Sequence, residues 1–356
     1  MFGGGVFLRT GLVYDTVYLD HETGNHPEKA SRLSHTYNVL KKAGVLENLL
    51  MIKPRPAGTD EVALVHNEEY INKVRDFSNR GGGSFGSDNS GSSGTYEAAI
   101  YAAGGTLTAI EAVLGKQVES VFALVRPPGH HATQGQAMGF CFFNNVAIGA
   151  RYAVKRYGLR RVLVIDWDEH HGNGTEQIFY SDPSVLYFSV HRDWSFPATG
   201  LADRTGQGSG EGYNINVPLP RRSGDADYEY VFRQILVPVA EAYRPELVLV
   251  SAGMDCHAKD PIGQMSVTSG GFLKLAEMAC EIACDCCNGA LVAVLEGGYN
   301  LNALAEGVFA VIHTLNRWEK QKTRALESNL PVKNTVKGVV NNVKAIQKKY
   351  WPVLLV

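Results

Sequence analysis

Five short apolar runs in this 356-residue sequence each give way abruptly to residues able to move protons or bind metal. Val125 is followed by Arg126-Pro-Pro-Gly-His130-His131, and Ile165 by Asp166-Trp-Asp168-Glu-His170-His171-Gly-Asn173. Ser189 and His191 close a third run, Val250 leads into Ser251-Ala-Gly-Met-Asp255-Cys-His257, and Leu295 into Glu296-Gly-Gly-Tyr299-Asn300. One buried histidine has an ordinary structural explanation, whereas several strand ends finishing in such groups imply a convergent site. Asp168 and His170, two residues apart on a chain leaving a strand, can face one point, and Asp255 can complete the set from another strand. Three protein ligands with an open position characterise a catalytic rather than a structural zinc. Such an ion polarises a carbonyl oxygen and lowers the pKa of water to about 7. His130 and His131 supply a base, Asp166 and Asn173 are candidates to hold their second nitrogens, and Tyr299 offers a hydroxyl to a developing oxyanion. The sum is a metal-assisted amide hydrolase.

These residues need a frame. The apolar runs (121–125, 161–165, 185–190, 247–250 and 290–295) are rich in β-branched residues and lack polar alternation, as strands buried on both faces do. Segments of helical spacing at 98–114, 146–157, 228–243 and 272–284 lie between most of them, so the pattern predicts a parallel sheet between helical layers in one α/β domain spanning residues 1–320. An open parallel sheet places its ligand crevice at the carboxyl ends of its strands, where the polar residues collect. The glycine-rich stretch 81–94 reads as a long surface loop. From 321 to 356 the chain reads as a tail: Val332, Val336, Val339, Val343, Ile346 and Tyr350 form one helical stripe with lysines elsewhere on the wheel. That helix is expected to dock on the domain or on a partner subunit.

Hydrophobic residues make up 45% and charged residues 20% of the chain, a globular balance, and a formal net charge of −2 argues against sequence-blind phosphate binding. No apolar run reaches the roughly 18 residues of a membrane span. Six cysteines, four of them between 280 and 287, read as buried thiols in a reducing cytoplasm rather than as a disulfide framework.

The motifs RPPGHHA (126–132), GFCFFNN (139–145), DWDEHHGNGT (166–175), SAGMDCHAKDP (251–261) and EGGYN (296–300) resemble the zinc-dependent histone deacetylase family, which also includes acetoin-utilisation proteins and acetylpolyamine amidohydrolases. The resemblance runs from about Gly11 to Trp318 and implies an arginase-like α/β fold with a central eight-stranded parallel sheet. It implies zinc on Asp168, His170 and Asp255, with His131 as general base and acid. His130, paired with Asp166, is then the electrostatic partner and Tyr299 the carbonyl-polarising group. Phe140 and Phe196 match the aromatic walls of an acyl-lysine tunnel, beside Gly139. A potassium site would draw on Asp166, Asp168, His170, Ser189 and Val190, and a second on Phe179, Asp182, Val185 and Tyr213. Three departures stand out. Asn173 replaces an aspartate that some members use to hold the second histidine, Glu169 occupies a position usually apolar, and Lys29 lies where some relatives carry an arginine near an inner channel.

A narrow aromatic slot suits a straight acylated amine. Polyamine-selective relatives carry a rim glutamate where this chain has Ile262, which favours an acetyl-lysine peptide or protein over an acetylated polyamine. Asp88 is either a rim carboxylate able to hold a peptide backbone or an ordinary turn residue. His257 and Asp260 are read as rim residues or as structural ones, and His21 and His26 as parts of an entrance loop. Of the competing readings, a binuclear ureohydrolase needs a carboxylate where Gly172 stands, a silent acyl-lysine binder would dispense with Tyr299, and a nucleotide site would need a glycine fingerprint after a strand. The oligomeric state is left open, with a homo-oligomer admitted.

Overall fold

A computed structural model describes residues 10–317 and 331–355. The expected boundary at 320 and Trp318 fall outside the described residues. The strands are β1 (Thr10–Val13), β2 (Leu50–Ile52), β3 (Gly82–Phe85), β4 (Asn89–Ser92), β5 (Ser120–Ala123), β6 (Val162–Asp166), β7 (Val185–Arg192), β8 (Asn214–Leu219), β9 (Leu247–Ala252) and β10 (Leu291–Leu295). Eight of them form one sheet in the order β2-β1-β5-β10-β9-β6-β7-β8, and every neighbouring pair is parallel. Helices Thr95–Leu114, Asn145–Tyr157, Ser269–Cys287 and Leu301–Arg317 pack around it. This is the arginase-like α/β architecture.

The central strands have no polar face because neither face meets water. Val162 to Asp166 and Leu247 to Ala252 are buried at every position. Each large aliphatic or aromatic side chain so buried contributes about 1.5–3 kcal/mol of transfer free energy. Register aligns the strand ends: Asp166 of β6 lies opposite Ser189 of β7 and Ser251 of β9. The loops that follow β5, β6, β9 and β10 therefore leave the sheet from one edge and converge.

One expectation is corrected. Residues 81–94 are not a plain loop: β3 and β4 pair as an antiparallel hairpin, with Gly83 opposite Gly91 and Phe85 opposite Asn89. Backbone pairing holds it, since its glycines offer no side chains from which a strand could be read. The C-terminal helix Asn334–Gln347 buries Val336 and Val343 of the expected stripe together with Val340 and Gln347 beside it, while Val332 and Val339 pack half-buried against the core. It lies against β8, where Gln347 Nε2 donates to the Asn214 carbonyl at 2.9 Å. The sheet edge is thereby covered, which removes a template for strand addition. Among the described residues no helix is long and apolar enough to cross a membrane.

Candidate active site

Asp168, His170 and Asp255 meet at the ends of β6 and β9, with one potential donor atom from each within 4.8 Å of the others. His170 Nδ1 lies 3.2 Å from Asp168 Oδ1 and 2.9 Å from Asp255 Oδ2, and all three residues are buried. The loop backbone arranges them. Glu169 N donates to Asp255 Oδ1 at 2.9 Å, His170 N to Asp168 Oδ1 at 2.9 Å and Gly297 N to Asp168 Oδ2 at 2.9 Å. Two carboxylates crowded in a dry site repel one another: burial and then the Asp168 charge push the Asp255 carboxyl above the ordinary carboxylate range. A cation between them relieves that repulsion, and an oxygen–nitrogen–oxygen donor set fits zinc.

The surroundings push the two histidines beside this trio in opposite directions. His130 Nδ1 meets Asp166 Oδ2 at 3.1 Å, and Tyr187 donates its hydroxyl to the same oxygen at 2.9 Å. Burial opposes a charge on His130, but Asp168 and Asp166 outweigh it and raise its pKa to about 10. His131 stands 4.0 Å away, ring centroid to centroid. Burial, then the positive charges of His130 and His170, hold its pKa well below 6.5. Its Nδ1 meets Asn173 Oδ1 at 2.8 Å. Because that oxygen can only accept, the proton sits on Nδ1 and leaves Nε2 with a free lone pair.

A slot of about 220 Å³ opens above these groups, lined by Asp88, His131, Gly139, Phe140, His170, Phe196, Ile262 and Tyr299. Phe140 stands edge-on to Tyr299 with centroids 5.8 Å apart, and Phe196 is edge-on to His131 at 5.1 Å. The Tyr299 hydroxyl is kept protonated, since burial raises its pKa well above 10. Gly139 is required by its setting: its φ is +55°, and a Cβ there would overlap the His131 imidazole. Phe140 follows at φ +68°, a backbone region side chains rarely adopt and one that clusters at functional sites. The β3–β4 hairpin secures this turn, with Gly139 N donating to Asp88 Oδ2 at 2.8 Å and Phe140 N to Asn89 Oδ1 at 3.2 Å. Asp88 thus lines the slot while holding its wall.

The remaining residues divide. Asp166 lies opposite Ser189 where β6 meets β7, Val190 follows on β7, and Asp168 and His170 lie in the loop after β6. Phe179, Asp182, Val185 and Tyr213 gather at the opposite end of β7, away from the slot, and there Asp182 pairs with Arg151. His21 lies in the loop after Asp20 but is buried, bonded to Thr95 Oγ1 at 2.8 Å, while His26 packs edge-on to Phe140 at 4.5 Å. Lys29 is exposed, and the cation buried three residues further on is Arg32. Arg32 donates to the Gly298 and Glu296 carbonyls at 2.6 Å each, and its guanidinium lies 5.0 Å from the Tyr299 ring centroid. Glu28 pairs with both Arg32 at 3.0 Å and Arg126 at 2.7 Å. The i,i+4 spacing of Glu28 and Arg32 was the available signal, easily taken for an ordinary surface pair. Glu296, which the strand-end pattern names without a role, is buried and accepts from Gly129 N and His130 N at 2.6 and 3.1 Å.

Residues 26–315 match the family model of the histone deacetylase domain. The chain is 37% identical to a protein of Archaeoglobus fulgidus named a probable deacetylase, over 96% of this chain and 98% of that one. It is 42% identical to the human protein named polyamine deacetylase HDAC10, over 81% of this chain and 44% of that one. Among solved structures, that of the HDA15 HD domain is similar with a TM-score of 0.90 at 36% identity, covering 98% of this chain and 97% of the other.

Proposed function

Since the chain belongs to the histone deacetylase family, we propose that it is a zinc-dependent deacylase hydrolysing the amide of acetyl-lysine or a related acylated amine. The observation that carries this reading is the joint exposure of His131, His170 and Tyr299 to one narrow slot. Bound by Asp168, His170 Nδ1 and Asp255, zinc would supply Lewis acidity toward the amide carbonyl and acidify a water.

The protein's own groups supply the rest. Neutral His131 accepts the proton of the attacking water on Nε2 and returns it to the departing amine. His130, cationic beside Asp166, offsets the negative charge that develops nearby without itself transferring a proton. Tyr299 donates its hydroxyl to the carbonyl oxygen as that oxygen gains charge. Phe140 and Phe196 enclose the methylenes of the acylated amine and keep water from the amide. The potassium ions implied by the resemblance would serve best at the β6–β7 set, where Asp166 and Asp168 are rooted. At the far set the Arg151 guanidinium already balances Asp182.

Ile262 in the slot lining offers no charge to a second ammonium group, and Asp88, the carboxylate that lines the slot, spends one oxygen on Gly139 N, which supports acyl-lysine over acetylpolyamine. The similarity to a protein named a polyamine deacetylase keeps the second substrate class in the test. Steady-state kinetics on an acetyl-lysine peptide and on acetylputrescine, with zinc content measured on the same sample, decide between them. The expected result is a higher kcat/KM on the peptide. The reverse order would assign the polyamine activity, and turnover of neither substrate by zinc-loaded protein would refute the deacylase reading.

A further inference from the structure

Two buried carboxylates outside the ligand trio organise the walls of the slot. Four consecutive backbone N–H groups in the turn that carries Ile262 end on them. Ile262 and Gly263 donate to Asp260 Oδ1 at 2.9 and 3.0 Å, and Gln264 and Met265 to Glu169 Oε2 at 2.6 and 3.2 Å. The other oxygen of each carboxylate reaches elsewhere. Asp260 Oδ2 accepts from Tyr299 N at 2.6 Å. Glu169 Oε1 accepts from Arg192 Nε at 2.6 Å, and Arg192 Nη2 donates to Ser195 Oγ at 2.7 Å. Ser195 immediately precedes Phe196.

The Ile262 wall follows β9 and the Phe196 wall follows β7. The path Met265–Glu169–Arg192–Ser195 joins them. Its central pair is well protected, with the Glu169 side chain fully buried and that of Arg192 14% exposed. The turn closes directly on it, because a Cβ at Gly263 would meet both the Glu169 carboxylate and the Asp255 carbonyl. Four N–H groups aimed one way would otherwise form an anion-binding concavity, and the protein fills it with its own carboxylates. The main chain and side chain of Glu169 divide the labour: its N–H holds the ligand Asp255, while its carboxylate holds the wall.

We infer that Glu169, acting through Arg192, is a positioning residue that fixes the separation of the Ile262 and Phe196 walls and so sets the grip on the methylene stem of the substrate. The inference rests on the deacylase reading for what fills the slot. Walls touch the stem equally in the ground and transition states, so loosening them raises KM and leaves kcat largely intact. Loss of folded or zinc-loaded protein does the opposite, lowering kcat at unchanged KM.

The test uses Glu169→Gln and Arg192→Lys in the full chain. Glu169→Gln keeps the volume but must turn its amide nitrogen toward either Arg192 or the Gln264 and Met265 N–H groups. Arg192→Lys keeps a cation beside Glu169 but gives up the fork that reaches Ser195. For each variant KM on an acetyl-lysine peptide should rise about ten-fold, the equivalent of one lost hydrogen bond to a charged group. In both, kcat should stay within about two-fold and zinc content should equal that of the wild type. Amide hydrogen exchange in Glu169→Gln should quicken at Gln264 and Met265 and also at Arg192 and Asp193, whose N–H groups bond the Glu169 and Leu219 carbonyls at 2.8 Å each. Unchanged KM with reduced kcat, or exchange that quickens only at Gln264 and Met265, would overturn the inference. If the wild type hydrolyses no acylated amine the deacylase reading falls, and the exchange pattern alone then judges the coupling between the walls.

Discussion

Asn173 makes the pH dependence of this site calculable. Its amide oxygen meets His131 Nδ1 at 2.8 Å and fixes the tautomer, but it brings no charge to set against an imidazolium. Asn173→Asp adds that charge without moving an atom. Two unit charges whose centres lie about 4 Å apart interact by about 4 kcal/mol at an effective permittivity of about 20. That is about three pH units at roughly 1.36 kcal/mol each. Residue 173 is only partly buried, so solvent screens the pair, and about one to two units is the expected shift. The sign is set by the role of the base. His131 works when neutral, and its pKa is held well below 6.5 by burial and by the charges of His130 and His170. A carboxylate raises that pKa, so protonation silences the base at a higher pH and the acidic limb of kcat/KM moves upward. The assay is kcat/KM on an acetyl-lysine peptide from about pH 5 to 9 for wild type and variant, with zinc content held equal. A limb that stays in place, or moves to lower pH, would refute His131 as the base.

Tyr299→Phe should lower kcat by about 10²–10³ with KM changed only a few-fold, because the hydroxyl acts on developing charge; steady-state kinetics check it. Gly139→Ala should lower kcat/KM by about 10² or more while the protein remains folded by circular dichroism, since a methyl group at φ +55° displaces the His131 ring. Glu28→Gln should destabilise the fold by about 3–5 kcal/mol in urea unfolding, because Arg32 and Arg126 would be left buried without their counter-charge. Burial works against a charge on Glu28, yet Arg126 and Arg32 hold its carboxyl near a pKa of about 2, below the ordinary 4.5. A depressed carboxyl pKa stabilises the fold fully above the unfolded value, so this contribution should fade in the wild type as pH falls from about 4.5 toward 2 and be missing from Glu28→Gln throughout.

The strands that could be read from sequence are those with continuous apolar runs, and they carry the site. β6 and β9 announce themselves, and Asp168, His170 and Asp255 follow them within a few residues. β2 is only three residues long, and β8 (NINVPL) looks polar. Asn214 and Asn216 of β8 are nevertheless buried, and both donate to Glu176 Oε2, at 2.9 and 2.7 Å. A partner 38 residues away in the chain lies beyond any local pattern. The same holds for Glu169, whose acidic side chain looked out of place until the fold supplied Arg192 and the Gln264 turn. Trios set by strand ends are legible, whereas buried polar groups answered from distant loops are not, because periodicity records exposure and not partnership.

Zinc K-edge X-ray absorption on the purified protein, wild type and Asp255→Ala, tests the central claim most directly. The account predicts one zinc per wild-type chain with only oxygen and nitrogen neighbours at about 2.0–2.1 Å, and loss of that zinc in the variant. A sulfur shell at about 2.3 Å, or full zinc retention by Asp255→Ala, would place the metal elsewhere and contradict the account.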